Sequence, residues 1–201
     1  MKLARPDLNV FAVGGDGDGF SIGGGHLPHA ARRNVDITYI VMDNEIYGLT
    51  KGQPSPTSQI GMKKKASPYG TFDQPLNPLL MALSYGTTFV ARGFSSKPKQ
   101  LTELIKRGTQ HEGFSIIQVI SPCVSFNNLY DHFKAATKEI PEDHDPADKA
   151  AAIKLALDTE TIYIGVFYEE DRPTFTDNAA RLIEQTKDPE YGMDALVGRY
   201  A

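Results

Sequence analysis

The chain has 201 residues, 40% of them apolar, with 25 acidic against 21 basic side chains and a net charge of −4. That is enough to build one sizeable α/β domain, and the acidic balance gives no reason to expect a nucleic-acid partner. Neither a bilayer-spanning apolar run nor a signal-peptide pattern is expected, and the single cysteine excludes a disulfide framework, so the expected location is cytoplasmic.

Asn9 to Val13 (NVFAV) is a short apolar run, and it ends in Gly14-Gly15-Asp16-Gly17-Asp18-Gly19. Gly25 to Arg33 (GHLPHAARR) is predicted to be a crossover helix closing on two cations. Ile37 to Met42 (ITYIVM) is the next apolar run, and it leads into Asp43-Asn44-Glu45-Ile46-Tyr47-Gly48. Both runs are expected to be fully buried parallel strands, so the unit is β-α-β. Ligands of open parallel sheets sit beyond the carboxyl ends of the strands, where both polar clusters fall. If the two strands are neighbours, Asp16 and Asn44 can face one ion.

The residue types then suggest which ion. Asp16 offers an anionic oxygen, Asn44 an amide oxygen and Ile46 its backbone carbonyl, while diphosphate oxygens and water can complete an octahedron; this favours magnesium over zinc. Glycines around Asp16 let main-chain N–H groups approach a phosphate closely, beside the start of a helix. Competing motifs fail: there is no P-loop, no G-x-G-x-x-G in the right context, and the calcium-loop pattern breaks at Phe20 and Leu27. His26 and His29 share a predicted helix face but have no third ligand nearby, and they are expected to serve helix-start or core hydrogen bonds. Lys63, Lys64 and Lys65 are expected to be a solvated loop face.

Downstream, the segment from Gly48 to Gly70 is rich in Pro, Ser, Gly and Lys and has no periodicity, as functional loops often do. Asn77 to Tyr85 is predicted to be a capped helix, Thr87 to Ala91 a strand, Lys97 to His111 a helix with Leu101, Leu104 and Ile105 inward, and Phe114 to Ile120 a buried strand. Beyond Phe126 the composition changes. Tyr130 to Glu139 and Pro146 to Asp158 are predicted helices separated by the acidic PEDHDP, followed by a strand over Ile162 to Phe167 and a last helix over Asp177 to Thr186.

The combination of GDG with a later Asn resembles the thiamine diphosphate motif. The longer text GGDGDGFSIGGGHLPHAARRNVDITYIVMDNEIYGLTKGQPSPTS is similar to the β subunit of 2-oxoacid:ferredoxin oxidoreductases, particularly the 2-oxoglutarate type. The resemblance continues through GMKKKASPYGTFDQPLNPLLMALSYGTTFVARGFS and LIKRGTQHEGFSIIQVISPCVSFN to IGVFYEEDRPTF, so it covers nearly the whole chain. It implies a mostly parallel sheet with helices on both faces in the thiamine diphosphate-binding fold. Residues 1–126 would form the cofactor-binding core, and 127–201 a C-terminal extension of the same domain that supports contact between subunits. It further implies that Asp16, Asn44 and the carbonyl of Ile46 hold magnesium. Gly15, Gly17 and Asp18 would line the diphosphate and thiazolium end, Gly48, Leu49 and Thr50 would close over the other side, and Lys51 would reach toward the acid group of the substrate.

The implied reaction is oxidative decarboxylation of 2-oxoglutarate or a related 2-oxoacid. The acyl group would pass to coenzyme A and electrons through an iron–sulfur cluster to ferredoxin, with an α subunit gripping the aminopyrimidine ring. The Gly48–Gly70 loop would cover the cofactor and meet that α subunit. Two departures from the family pattern shape the expectation. Its β subunits carry a leading segment with cysteines, whereas Met1-Lys2-Leu3-Ala4 here stands just before the first strand. Cys123 in SPCV matches the last cluster ligand, and one thiolate cannot hold a cluster that needs four. The expectation is therefore a truncated or partial β subunit, incomplete without its α partner and the leading segment. The alternative is a non-catalytic binding or assembly module, or a gene fragment.

Overall fold

A computed structural model describes residues 1–185 together with Gly192, Val197 and Gly198. The strands are β1 (Phe11–Gly15), β2 (Ile37–Asp43), β3 (Ile46–Tyr47), β4 (Gln53–Pro54), β5 (Phe89–Phe94), β6 (Phe114–Ile120), β7 (Thr137–Glu139) and β8 (Ile162–Glu169). The helices are α1 (Asp16–Phe20), α2 (Leu27–Arg33), α3 (Pro78–Ser84), α4 (Pro98–Gln110), α5 (Tyr130–Ala136), α6 (Lys149–Leu157) and α7 (Phe175–Gln185). Six strands form one sheet in the order β1-β2-β6-β5-β8-β7, while β3 and β4 make a separate two-stranded pair. All neighbours in the large sheet are parallel except β5 with β8. The mostly parallel α/β architecture expected from the sequence is the one found.

Alternation along the central strands distributes the core over both faces. Val41, Val90, Ile116 and Phe167 point into one cluster, where α2, α3 and α6 contribute Leu27, Leu79, Leu83 and Ala152. Ile40, Phe89, Ala91, Ile117 and Val119 point into the other, which α4 covers with Leu104 and the partly buried Leu101 and Ile105. Asn77 caps α3 by accepting from Leu79 and Leu80 N–H, both at 3.1 Å, with Pro78 opening the helix as the sequence suggested.

Several expectations need correction. β1 is not fully buried: it is the edge strand, with Phe11 48% and Val13 66% exposed, because β2 flanks it on one side only. Periodicity reports that a segment is apolar, and it cannot report whether a second neighbour arrives. The crossover helix starts at Leu27, after a 3-10 turn over Ile22–Gly25, where three glycines disfavour an α-helix. Tyr130 to Glu139 is not one helix, since α5 stops at Ala136 and β-branched Thr137 begins β7, which pairs with Ile162–Ile164. α6 is shorter than Pro146 to Asp158 because Asp148 caps it, accepting from the N–H groups of Ala150 and Ala151. The last helix begins at Phe175, and Thr186 lies outside the described residues. Among the described residues no helix is long and apolar enough to cross a membrane.

Candidate functional site

The parallel register of β1 on β2 sets Gly15 beside Met42, so the residues that follow each strand emerge together at the carboxyl end of the sheet. Asp16 is the first residue of α1 and only 1% exposed. Its Oδ1 accepts from the backbone N–H of Asn44 at 3.3 Å, and its Oδ2 accepts from the Thr57 hydroxyl at 3.0 Å. The side-chain oxygen of Asn44 accepts from the N–H of Ile46 at 3.0 Å, closing a turn that leaves the amide oxygen a second lone pair. Ile46 is buried and pairs with Pro54 in the β3–β4 ribbon. The structure thus brings Asp16, Asn44 and Ile46 to one place.

The glycines hold α1 close to its neighbours. A Cβ on Gly17 would overlap the ring of Tyr47, whose hydroxyl donates to the Gly17 carbonyl at 2.9 Å. One on Gly14 would lie 2.8 Å from the Tyr39 hydroxyl and 2.9 Å from Asp18 Oδ2. Gly15 has room, and Asp18 is exposed. On the other side Gly48 lies beside Cys123, whose sulfur would be 4.0 Å from a Cβ built there. Leu49 is 99% exposed, and Thr50 and Lys51 are exposed on the same turn, with Lys51 in the left-handed region at φ 75. Cys123 is a partly buried free thiol. Its carbonyl accepts from Asn127 N–H at 2.8 Å, and the Asn127 side chain donates to the Asn44 carbonyl at 3.4 Å, so the SPCVSFN segment is tied to the Asn44 turn. Among the described residues no group of three or more His, Cys, Asp or Glu side chains is placed to hold a metal, so neither His26 and His29 nor Cys123 has such a set.

Sequence reasoning missed a buried polar network behind these residues. Thr57 is 4% exposed, and its hydroxyl reaches Asp43 Oδ1 at 2.8 Å as well as Asp16. Gln118 Nε2 donates to Asp43 Oδ2 at 2.6 Å, and Arg92 Nε donates to Gln118 Oε1 at 2.8 Å. Burial and the neighbouring Asp16 charge push Asp43 up to about 6. Burial, then Asp43, pushes Glu45 up to about 7, while burial lowers Arg92 to about 10. Glu45 Oε1 accepts from Gln59 at 3.3 Å, while its buried Oε2 has no partner among the described residues. Asp43, Glu45, Arg92 and Gln118 line a cavity of about 660 Å³ that extends to His132 and Asp158. The available signal was Arg92 and Gln118, each a long polar side chain inside a mostly apolar strand, and the β5–β6 register sets them side by side.

Residues 1–119 match the family model described as thiamine pyrophosphate enzyme, C-terminal TPP binding domain, and residues 123–184 match the model for the C terminal of the pyruvate ferredoxin oxidoreductase beta subunit. The 2-oxoglutarate synthase subunit KorB of Methanocaldococcus jannaschii is 37% identical over 193 residues, covering 93% of this chain and 70% of that protein. The chain belongs to the β subunits of the 2-oxoacid:ferredoxin oxidoreductases. A further member of this family, the 2-oxoacid:ferredoxin oxidoreductase subunit beta of Saccharolobus solfataricus, is 38% identical over 85% of this chain and 61% of its own length. Among solved structures, the 2-oxoglutarate:ferredoxin oxidoreductase from Magnetococcus marinus, with 2-oxoglutarate, coenzyme A and succinyl-CoA bound, matches at a TM-score of 0.91 and 46% identity, covering 97% of this chain and 69% of that one. The chain thus spans about three-fifths of the length of the Saccharolobus β subunit. The domain that carries the match is the one that binds thiamine diphosphate in this family.

Proposed function

We propose that this β subunit binds thiamine diphosphate through a magnesium ion held by the side chains of Asp16 and Asn44 and the carbonyl of Ile46. The observation that carries the reading is the meeting of Asp16 with the Asn44 turn at the carboxyl ends of two adjacent parallel strands. The donor set fits a hard divalent cation: one carboxylate, one amide oxygen with a free lone pair and one carbonyl, all oxygen. The burial of Asp16 fits as well, because a carboxylate that is 1% exposed and has Asp43 as a near neighbour gains from a cation.

Thiamine diphosphate, when bound, supplies the carbanion chemistry that releases carbon dioxide from a 2-oxoacid, 2-oxoglutarate or a related one. The chain's own part is to bind, orient and exclude water. Gly15, Gly17 and Asp18 line the diphosphate and thiazolium end of the cofactor. Gly48, Leu49 and Thr50 form the opposite wall, and Lys51 offers a cation to the substrate carboxylate. Cys123 supplies one thiolate to an iron–sulfur cluster whose other ligands come from outside these 201 residues. Leu49 and Val124, 99% and 68% exposed, stand beside Gly48 and Cys123 at the site, which supports an α subunit seated over it. The described residues from 127 to 185 add to that contact, with ferredoxin and coenzyme A as the further partners of the complex.

The test is co-production with the α subunit, followed by viologen reduction with 2-oxoglutarate and coenzyme A. Activity in the pair that disappears in Asp16→Ala supports the reading. An inert pair that takes up no cofactor overturns it in favour of a binding or assembly module.

A further inference from the structure

The hydroxyl of Thr57 has no part in the roles assigned above, yet it touches the carboxylate on which they depend. Thr57 sits in the segment 55–58, which returns behind the site after the β3–β4 ribbon. Three hydroxyls are packed there: Ser55 Oγ lies 3.3 Å from Thr57 Oγ1 and 3.4 Å from Ser58 Oγ. Ser58 Oγ accepts from the N–H of Ser55 at 2.8 Å and donates to the carbonyl of Glu45 at 2.5 Å. The segment is thereby fastened to the turn after β2, and Thr57 carries a hydrogen bond across to α1.

The last torsion of an aspartate is soft, so a buried carboxylate keeps one orientation only when both oxygens are held. Asp16 Oδ1 is held by the Asn44 N–H at 3.3 Å and Oδ2 by Thr57 at 3.0 Å, so the hydroxyl makes the shorter of the two bonds. The single Thr57 hydrogen lies between two carboxylate oxygens, Asp16 Oδ2 at 3.0 Å and Asp43 Oδ1 at 2.8 Å, and Asp43 is held in turn by Gln118, which Arg92 holds. This anchors the hydroxyl to β2, β6 and β5, the rigid middle of the sheet. A ligand carboxylate buttressed by a fixed polar neighbour loses affinity when that neighbour is removed.

We infer that Thr57 is a positioning residue for the cation site: its hydroxyl fixes the rotation of the Asp16 carboxylate so that Oδ1 stays turned toward Asn44. The inference rests on the reading of Asp16 as a metal ligand. The test uses the full chain assembled with its α subunit and measures Mn²⁺ affinity by electron paramagnetic resonance in the presence of thiamine diphosphate. Thr57→Val, which keeps the shape and removes the hydroxyl, is expected to weaken Mn²⁺ binding by about tenfold or more, and Thr57→Ser to restore it to within about twofold of the parent. Thr38→Val removes a buried hydroxyl at the opposite end of β2, where it donates to the Gly108 carbonyl at 3.0 Å, and it is expected to leave Mn²⁺ affinity unchanged. Parental affinity in Thr57→Val overturns the inference alone, as does an equal loss in Thr38→Val. If Thr57→Val does not fold, Thr57→Ala takes its place with the same two outcomes. A parent that binds Mn²⁺ no better than Asp16→Ala overturns the metal reading itself, and the inference with it.

Discussion

Asp16 and Asn44 stand 28 residues apart in the chain and are joined by a hydrogen bond from the Asn44 N–H to Asp16 Oδ1. The bond exists because β1 and β2 are parallel neighbours in register, so the first residue of α1 meets the turn that follows β2. It also concentrates anionic groups, since Thr57 connects Asp16 directly to Asp43. A site organised this way carries an electrostatic cost that a bound cation would relieve, and that cost can be measured.

Asp16→Asn is expected to abolish magnesium-dependent binding of thiamine diphosphate and at the same time to stabilise the cofactor-free protein. The amide oxygen can still accept from Asn44, and the new NH₂ can donate to Thr57, whose hydrogen is then free for Asp43. The network stays satisfied with one charge fewer. The expected gain is about 1 kcal/mol, in the direction usual for residues kept for function at the expense of stability. Urea unfolding without divalent cation checks it; a variant less stable than the parent would show that the carboxylate is held favourably as it stands.

Gly19 tests the packing of α1 on the sheet. A Cβ there would overlap the Tyr39 hydroxyl first, with the ring carbon that bears it at 3.3 Å. Gly19→Ala is expected to cost about 1–3 kcal/mol despite the better helix propensity of alanine. Tyr39→Phe removes the nearest atom, so the double variant should recover part of the loss, with a coupling of about 1 kcal/mol in a double-mutant cycle. Strict additivity would mean that α1 moves away from Tyr39 instead of straining against it.

The extent to which the sequence announced this structure follows from the range of each interaction. β2, β5 and β6 were visible as apolar runs because each lies inside the sheet with a strand on either side, and α3 was visible because Asn77 and Pro78 act within one turn. Asp16 and Asn44 were visible because each stands right after a strand. Thr57 was not, since its role depends on the path of a loop without periodicity. Nor were Arg92 and Gln118, which matter together only because β5 and β6 pair in one particular register. β7 was hidden for a related reason: three residues carry no period, and only their pairing with β8 makes them a strand.

Cys123 makes a compositional prediction. It is the only cysteine, and an iron–sulfur cluster normally takes four thiolates. The 201-residue chain purified alone should therefore hold well under one cluster's worth of iron. In a complex that acquires a cluster, Cys123→Ala should lower the iron content and bleach the visible absorption while leaving cofactor binding in place. Stoichiometric iron on the isolated chain would refute this.

The pH dependence of stability follows from Asp43. Its pKa rises from 3.8 unfolded to about 6 in the folded protein, because burial and the Asp16 charge disfavour the ionised form. The folded state therefore binds the proton more tightly than the unfolded chain, and folding is penalised where the unfolded group ionises freely. Below about pH 4 the group is protonated in both states and contributes no penalty. Between about 4 and 6 stability falls as pH rises, and above that window the loss is constant, on the order of 2–3 kcal/mol at 1.36 kcal/mol per unit. Glu45, pushed up to about 7, carries the decline further toward neutrality. The measurement is urea unfolding of cofactor-free protein from pH 4 to 8, for the parent and for Asp43→Asn. The parent should lose stability relative to the variant as pH rises, and saturating magnesium with thiamine diphosphate should shrink the difference, because a bound cation favours the ionised carboxylates. Parallel profiles for the two proteins would mean that Asp43 is no costlier to ionise in the folded state than in the unfolded chain.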